Sequence, residues 1–238
     1  MDAPHDIATN QDTLPSTEEF TRLRHGLVAY MQQIQVLRSS LLTKAFLEIP
    51  REIFLAEAYQ LHAYEDIALP TMGGQTISQP STIAHMLELL DVQEGMRVLE
   101  VGSGCGYVLA LLSKRVGHTG KVFGVELDEK LVAFSRKKIQ QLKLKNVEVV
   151  QGDGALGLEK EAPFDRILVS AAAPFVPPAL FKQLIEKGHI VAPIGDSFSQ
   201  QLLKMSKFRG KVIKKEIEGS MYEFVPLRSK TLQLKRVE

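Results

Sequence analysis

The residues best equipped for chemistry in this sequence are acids placed beside glycine-rich turns and a pair of hydroxyls placed before a helix. In Arg97-Val-Leu-Glu-Val-Gly-Ser-Gly-Cys-Gly-Tyr107, Gly102, Gly104 and Gly106 alternate with Ser103 and Cys105, and Glu100 precedes the first glycine by two positions. Glycines in such a turn let the backbone approach a ligand that a Cβ would exclude. The dinucleotide fingerprint is G-x-G-x-x-G and rests a pyrophosphate on a helix N-terminus, whereas the spacing here is G-x-G-x-G. A carboxylate at Glu100 repels a pyrophosphate and suits a ligand with a cationic amino-acid part. Glu126, twenty residues after Gly106, can accept from both hydroxyls of a ribose. Asp153, between Gly152 and Gly154, can accept from an adenine amino group, although Asp-Gly is also a common turn pair.

Thr76-Ile-Ser-Gln-Pro80 has no place in a generic nucleotide site. Two hydroxyls and an amide just ahead of free helix N–H groups form a plausible anion site, and they equally form a helix cap. Chemistry alone leaves both uses of Ser78 open. Cys105, enclosed by glycines, reads as a small packing residue and not as a nucleophile.

The elements that must position these residues follow from periodicity. Val98, Leu99 and Val101 mark a strand buried on both faces, and Val108–Arg115 has helical spacing. Further strands are expected at Lys121–Glu126, Val147–Val150, Phe164–Ser170 and His189–Ile194. A helix is expected from Asp128 to Lys143, with Asp128 and Glu129 in its favourable first turn. Another is expected from Ala179 to Ile185, capped by Gly188. Ahead of the core, helices are expected from Phe20, over Leu41–Leu47 (ending before Pro50) and over Ser81–Leu90 with Pro80 at its first position. Arg209-Gly210 between Leu202–Phe208 and Val212–Ile217 reads as a hairpin. The expected fold is therefore α/β: a Rossmann-like, doubly wound, mostly parallel seven-stranded sheet with an antiparallel C-terminal hairpin strand and extra N-terminal helices. Residues 1–19 are expected to form an acidic flexible segment and residues 20–238 a single domain. In that domain 20–90 is a helical, substrate-side part and 91–238 the core.

Composition bounds the function. At 238 residues with 45% hydrophobic and 24% charged content, the chain can bury one large core. A net charge of +1 gives no reason to expect a nucleic-acid or membrane partner. The charge is uneven: ten basic and four acidic residues from Lys204 onward give that segment +6, which suits a solvated strand edge. One cysteine excludes an internal disulfide, and six histidines without ligand spacing suggest no metal. With no secretory leader pattern and no apolar run long enough for a bilayer, a soluble cytoplasmic protein is expected.

The glycine turn resembles motif I of the class I methyltransferases, which bind S-adenosylmethionine (SAM). A closer resemblance extends from about Leu27 to Leu227. Ala63-Tyr-Glu-Asp66, Gly74-Gln-Thr-Ile-Ser-Gln-Pro80, Val98–Tyr107, Gly152-Asp-Gly154, Ala162-Pro-Phe-Asp165, Ala171-Ala-Ala-Pro174, Pro193-Ile-Gly195 and Phe224-Val-Pro-Leu227 look like the protein-L-isoaspartate O-methyltransferases. Gln-Thr-Ile-Ser-Gln-Pro is the most specific of these. The resemblance implies methyl transfer from SAM to the α-carboxylate of isoaspartyl residues, leaving S-adenosylhomocysteine, in a monomer that needs no metal. It implies Ser78 as the active-site residue. It implies a cofactor-binding set of Gln75, Thr76, Ile77, Ser78, Glu100, Gly102, Ser103, Gly104, Gly106, Glu126, Leu127, Gly152, Asp153 and Gly154. Two departures, Ser81-Thr-Ile83 where the bacterial family has Tyr-Ile-Val and Thr71-Met-Gly-Gly74 where it has Ile-Gly, flank the substrate side. A SAM-dependent enzyme with another acceptor (RNA or a small metabolite) and a non-catalytic SAM-binding module are the rival readings. The absence of an Asn-Pro-Pro-Tyr-like motif counts against nucleobase methylation.

Overall fold

The computed structural model describes residues 14–196 and 199–231. Most of the acidic N-terminal segment, residues 1–13, lies outside the described residues.

The first helix, α1 (Thr17–Gln33), starts earlier than its apolar spacing indicates, because the Ser16 hydroxyl caps it by accepting from Glu19 N at 3.2 Å. Helix α2 (Ser40–Glu48) stops where expected: Ile49, before Pro50, is extended. Two short 3₁₀ segments then lead to β1 (Leu69–Pro70), which pairs antiparallel with β2 (Thr76–Ile77). Residues 71–75 are the loop of this small hairpin, whose second strand ends on Ile77. Pro80 opens α3 (Pro80–Leu90).

Alternation of strand and helix then builds the core through β3 (Arg97–Val101), α4 (Tyr107–Val116), β4 (Lys121–Glu126), α5 (Glu129–Gln141), β5 (Val147–Gln151) and β6 (Phe164–Val169). Asp128 is the cap of α5, accepting from Lys130 N and Leu131 N. After α6 (Pro178–Lys182) come β7 (Leu184–Gly195), β8 (Gln200–Phe208) and β9 (Lys211–Tyr222). The seven strands stand in the order β5-β4-β3-β6-β7-β8-β9, with β3 through β7 parallel to one another, β8 antiparallel to β7 and β9 antiparallel to β8.

The expected helix over Ala179–Ile185 is corrected: α6 spans only five residues, and Gly188 lies inside β7 and caps nothing. Leu184 pairs with Phe164, whereas His189 pairs with Arg166, so residues 185–188 bulge out of the ladder. Arg209 and Gly210 both have positive φ, the geometry of a two-residue hairpin turn.

Both faces of the sheet are covered. Val98, Val122 and Val149 pack towards α3, α4 and α5, while Leu99, Val101, Phe123 and Ile167 pack on the side of α6. Strand alternation puts Glu100 on the same face as Val98, beneath the helices. The N-terminal part is fastened there through Tyr107, whose ring meets Phe54 at 5.4 Å and Phe46 at 6.5 Å between centroids.

Candidate active site

Strand order reverses between β4-β3 and β3-β6, and ligands in open α/β sheets bind outside the carboxyl ends of the strands at such a switch point. A cavity of about 250 Å³ opens there, lined by the ends of β3, β4 and β6 at Gly102, Val125–Leu127 and Ser170. A second, of about 50 Å³, adjoins it and shares Thr76, Gly102, Gly104 and Ser170.

Glu126 organises the larger cavity. Its carboxylate accepts from Gly104 N at 2.9 Å, Leu127 N at 2.8 Å and Asp128 N at 3.0 Å, so the acid and the glycine turn hold each other in place. Two carboxylate oxygens offer about four lone-pair sites, which leaves capacity for a ligand hydroxyl. Gly154 comes so close to β3 that a Cβ there would lie 2.5 Å from Val101 Cγ1.

Glu100 dominates the smaller cavity. It is 1% exposed, and its Oε1 accepts from the Ser170 hydroxyl at 2.7 Å while Oε2 has no partner among the described residues. Burial pushes its carboxyl up to about 8, against the Ser170 hydrogen bond and with help from the Glu126 charge. The buried Ser103 hydroxyl is likewise unpartnered. Burial pushes the Cys105 thiol up to about 11, which fits packing and not nucleophilic use.

Ser78 lines this smaller cavity beside Ile77. Its hydroxyl does not cap α3. The N-cap is Gln79, without a side-chain bond, and Asp66 reaches over to accept from Ser81 N at 2.8 Å and from Gln79 Nε2 at 3.0 Å. The Ser78 carbonyl accepts from Arg51 at 3.0 Å.

Of the residues expected at the site, all line one cavity or the other except Gly106, Gly152 and Asp153. Gly106 is a packing residue, since its φ is +88° and a Cβ would stand 2.9 Å from Ser135 Cβ of α5. Asp153 Oδ2, expected to receive an adenine amino group, is taken by Ser229 Oγ, Thr231 Oγ1 and the amides of Lys230 and Thr231, all within 3.1 Å. Sequence reasoning missed Asp128, Ser170, Phe224 and the segment 225–228 as walls. Ser170 follows β6 as Gly102 follows β3, a positional signal that could have found it.

A profile of the protein-L-isoaspartate(D-aspartate) O-methyltransferases (PCMT) matches residues 22–232. The chain belongs to this family. A protein-L-isoaspartate O-methyltransferase of Archaeoglobus fulgidus is 46% identical over 185 residues, 78% of this chain and 84% of that one. Another from Pyrobaculum neutrophilum is 40% identical over 207 residues, 87% and 99% of the two chains. A solved protein-L-isoaspartate O-methyltransferase superimposes with a TM-score of 0.78 at 35% identity, covering 85% of this chain and 65% of that one. A Plasmodium falciparum chain solved with S-adenosyl-L-homocysteine gives 0.75 at 26% identity, covering 86% and 98%. Members of the family depend on SAM, and the cavities here fit it. The unpartnered Glu100 Oε2 suits an ammonium group, Glu126 a ribose diol, and the close approach at Gly154 a flat base. Among the described residues no helix is long and apolar enough to cross a membrane, and no group of three or more His, Cys, Asp or Glu could hold a metal ion.

Proposed function

We infer that the chain transfers a methyl group from SAM to the free α-carboxylate of L-isoaspartyl residues in damaged proteins and peptides. The ester then closes to a succinimide, which reopens partly to aspartate. The observation that carries this reading is Ser78 lining the cavity that holds Glu100, with α3 capped by Asp66 instead.

When bound, SAM supplies a methyl group already activated by its sulfonium. An acceptor α-carboxylate is ionised at neutral pH, so the chain needs no general base and its task is orientation. Glu126 would hold the ribose and Glu100 the amino-acid end, with Gly102, Gly104 and Leu127 shaping the walls. The Ser78 hydroxyl donates to the acceptor carboxylate and fixes it in line, with Gln75, Thr76 and Ile77 framing its approach. We further take the enzyme to be a cytoplasmic monomer acting on protein chains and not on nucleic acid, a setting that its single cysteine and net charge of +1 suit.

Incubation with methyl-labelled SAM and either an isoaspartyl peptide or its aspartyl twin tests the assignment. Label is expected on the isoaspartyl peptide alone. Equal labelling of the two, or of neither, overturns it.

A further inference from the structure

Among the described residues, the buried side-chain polar atoms without any partner belong to Arg51, Glu100 and Ser103. The latter two face the cavities and are explained by a ligand. Arg51 is not explained in that way. Its side chain is 0% exposed, and only one of its guanidinium nitrogens is used, donating to Ser78 O at 3.0 Å and to Ile67 O at 3.3 Å. Nε and the other terminal nitrogen have no acceptor. No described carboxylate forms an ion pair with it, and Asp66, whose charge acts on it, is engaged with Gln79 and Ser81. The guanidinium lies 5.4 Å from the centroid of Tyr107, which, like Ser78, is a wall of the smaller cavity. Burial lowers its pKa, yet a guanidinium remains charged at neutral pH.

Leaving an unpaired charge inside a protein is costly. Two carbonyls alone do not call for a cation. The charge is accounted for by what must sit on the far side of Ser78. We propose that Arg51 is a positioning residue of the methyl-acceptor site: it fixes the Ser78 backbone from behind and biases the site towards an anionic acceptor. This rests on the isoaspartyl reading. Glu100 and Arg51 then face one small cavity from different sides, Glu100 towards a ligand cation and Arg51 towards an acceptor anion.

The test uses the full chain and its Arg51→Met and Arg51→Lys variants, loaded with S-adenosylhomocysteine. Each is titrated with an isoaspartyl peptide and with the same peptide carrying an α-carboxamide in place of the α-carboxylate. Wild type should favour the carboxylate, and Arg51→Met should reduce that preference by roughly tenfold or more, as expected when one member of a buried charge pair is removed. Its affinity for S-adenosylhomocysteine should stay within about twofold, and in turnover with SAM its KM should rise more than its kcat falls. Arg51→Lys should keep most of the carboxylate preference, which decides the matter if Arg51→Met does not fold. An unchanged preference in Arg51→Met, or equal weakening of both peptides in Arg51→Lys, overturns the proposal alone. A wild type that binds neither peptide overturns the isoaspartyl reading with it.

Discussion

The Ser78 hydroxyl makes no hydrogen bond to another described residue, because Asp66 already takes the Ser81 N–H that a capping serine would help to satisfy. The two uses of that serine therefore separate by measurement. Ser78→Ala should leave the melting temperature near wild type while single-turnover methylation of an isoaspartyl peptide falls about thirty- to a thousandfold, as for a lost transition-state hydrogen bond of about 2–4 kcal/mol. Asp66→Ala should instead destabilise the fold by about 1 kcal/mol, the value of a cap. Equal rates in wild type and Ser78→Ala would remove Ser78 from the chemistry. Glu100 supports a prediction of another kind. Its folded carboxyl titrates at about 8 against an ordinary 4.5. Below pH 4.5 it is neutral in both folded and unfolded chains; as pH rises towards 8 the unfolded chain ionises first, so the stability it contributes is lost across that window. The ligand-free wild type should lose melting temperature relative to Glu100→Gln between these limits. Parallel curves from pH 5 to 8 would mean that Glu100 is ionised in the fold.

At the scale of elements, the strand–turn–helix units were legible because a buried parallel strand and an amphipathic helix carry different apolar periods, as in Val98–Val101 followed by Val108–Arg115. The boundary between α6 and β7 was not. Leu180, Phe181, Leu184 and Ile185 have helical spacing, but Leu184 is drawn into the ladder opposite Phe164, and Lys187 takes a φ of +62° in the bulge that follows. Pairing across the sheet overrode a local pattern. The alternating glycines were read as one ligand turn, and the fold divides their work. Gly102 and Gly104 line the cavities, whereas Gly106 lets α4 close against Ser135 of α5. Gly106→Ala combines a positive φ with a 2.9 Å approach to Ser135 Cβ, so it should destabilise the protein by roughly 1–3 kcal/mol. Denaturant titration gives the value, and a change below about 0.5 kcal/mol, typical of an unremarkable surface site, would refute the packing role.

At the scale of the whole molecule, the site is assembled from parts that the sequence keeps far apart, and this explains why part of it could not be read. Asp66 reaches Ser81 across 15 residues, Arg51 reaches Ser78 across 27, and Ser229 reaches Asp153 across 76. No local pattern announces such contacts. The last of them closes the molecule. Ala172 N donates to Val225 O at 2.8 Å and Leu227 N to Ala172 O at 2.7 Å, laying the C-terminal segment over the loop after β6, and Leu227 and Arg228 become walls of the larger cavity. Burial acts to raise the Asp153 carboxyl, but hydrogen bonds from Thr231, Ser229 and the backbone hold it below the ordinary value. The segment is therefore tied to a carboxylate at the end of β5, next to a cavity it helps to enclose. A ligand filling that cavity and the segment covering it must stabilise one another, because such coupling is reciprocal. Hydrogen exchange at the amides of Lys230 and Thr231 should slow when S-adenosylhomocysteine binds. In Asp153→Ala the same amides should exchange fast with or without it, and ligand affinity should fall by about 1–3 kcal/mol, the range for hydrogen bonds to a charged group and the ordering they bring. Unchanged protection in wild type on ligand binding would show that the segment belongs to the fold alone and takes no part in closing the site.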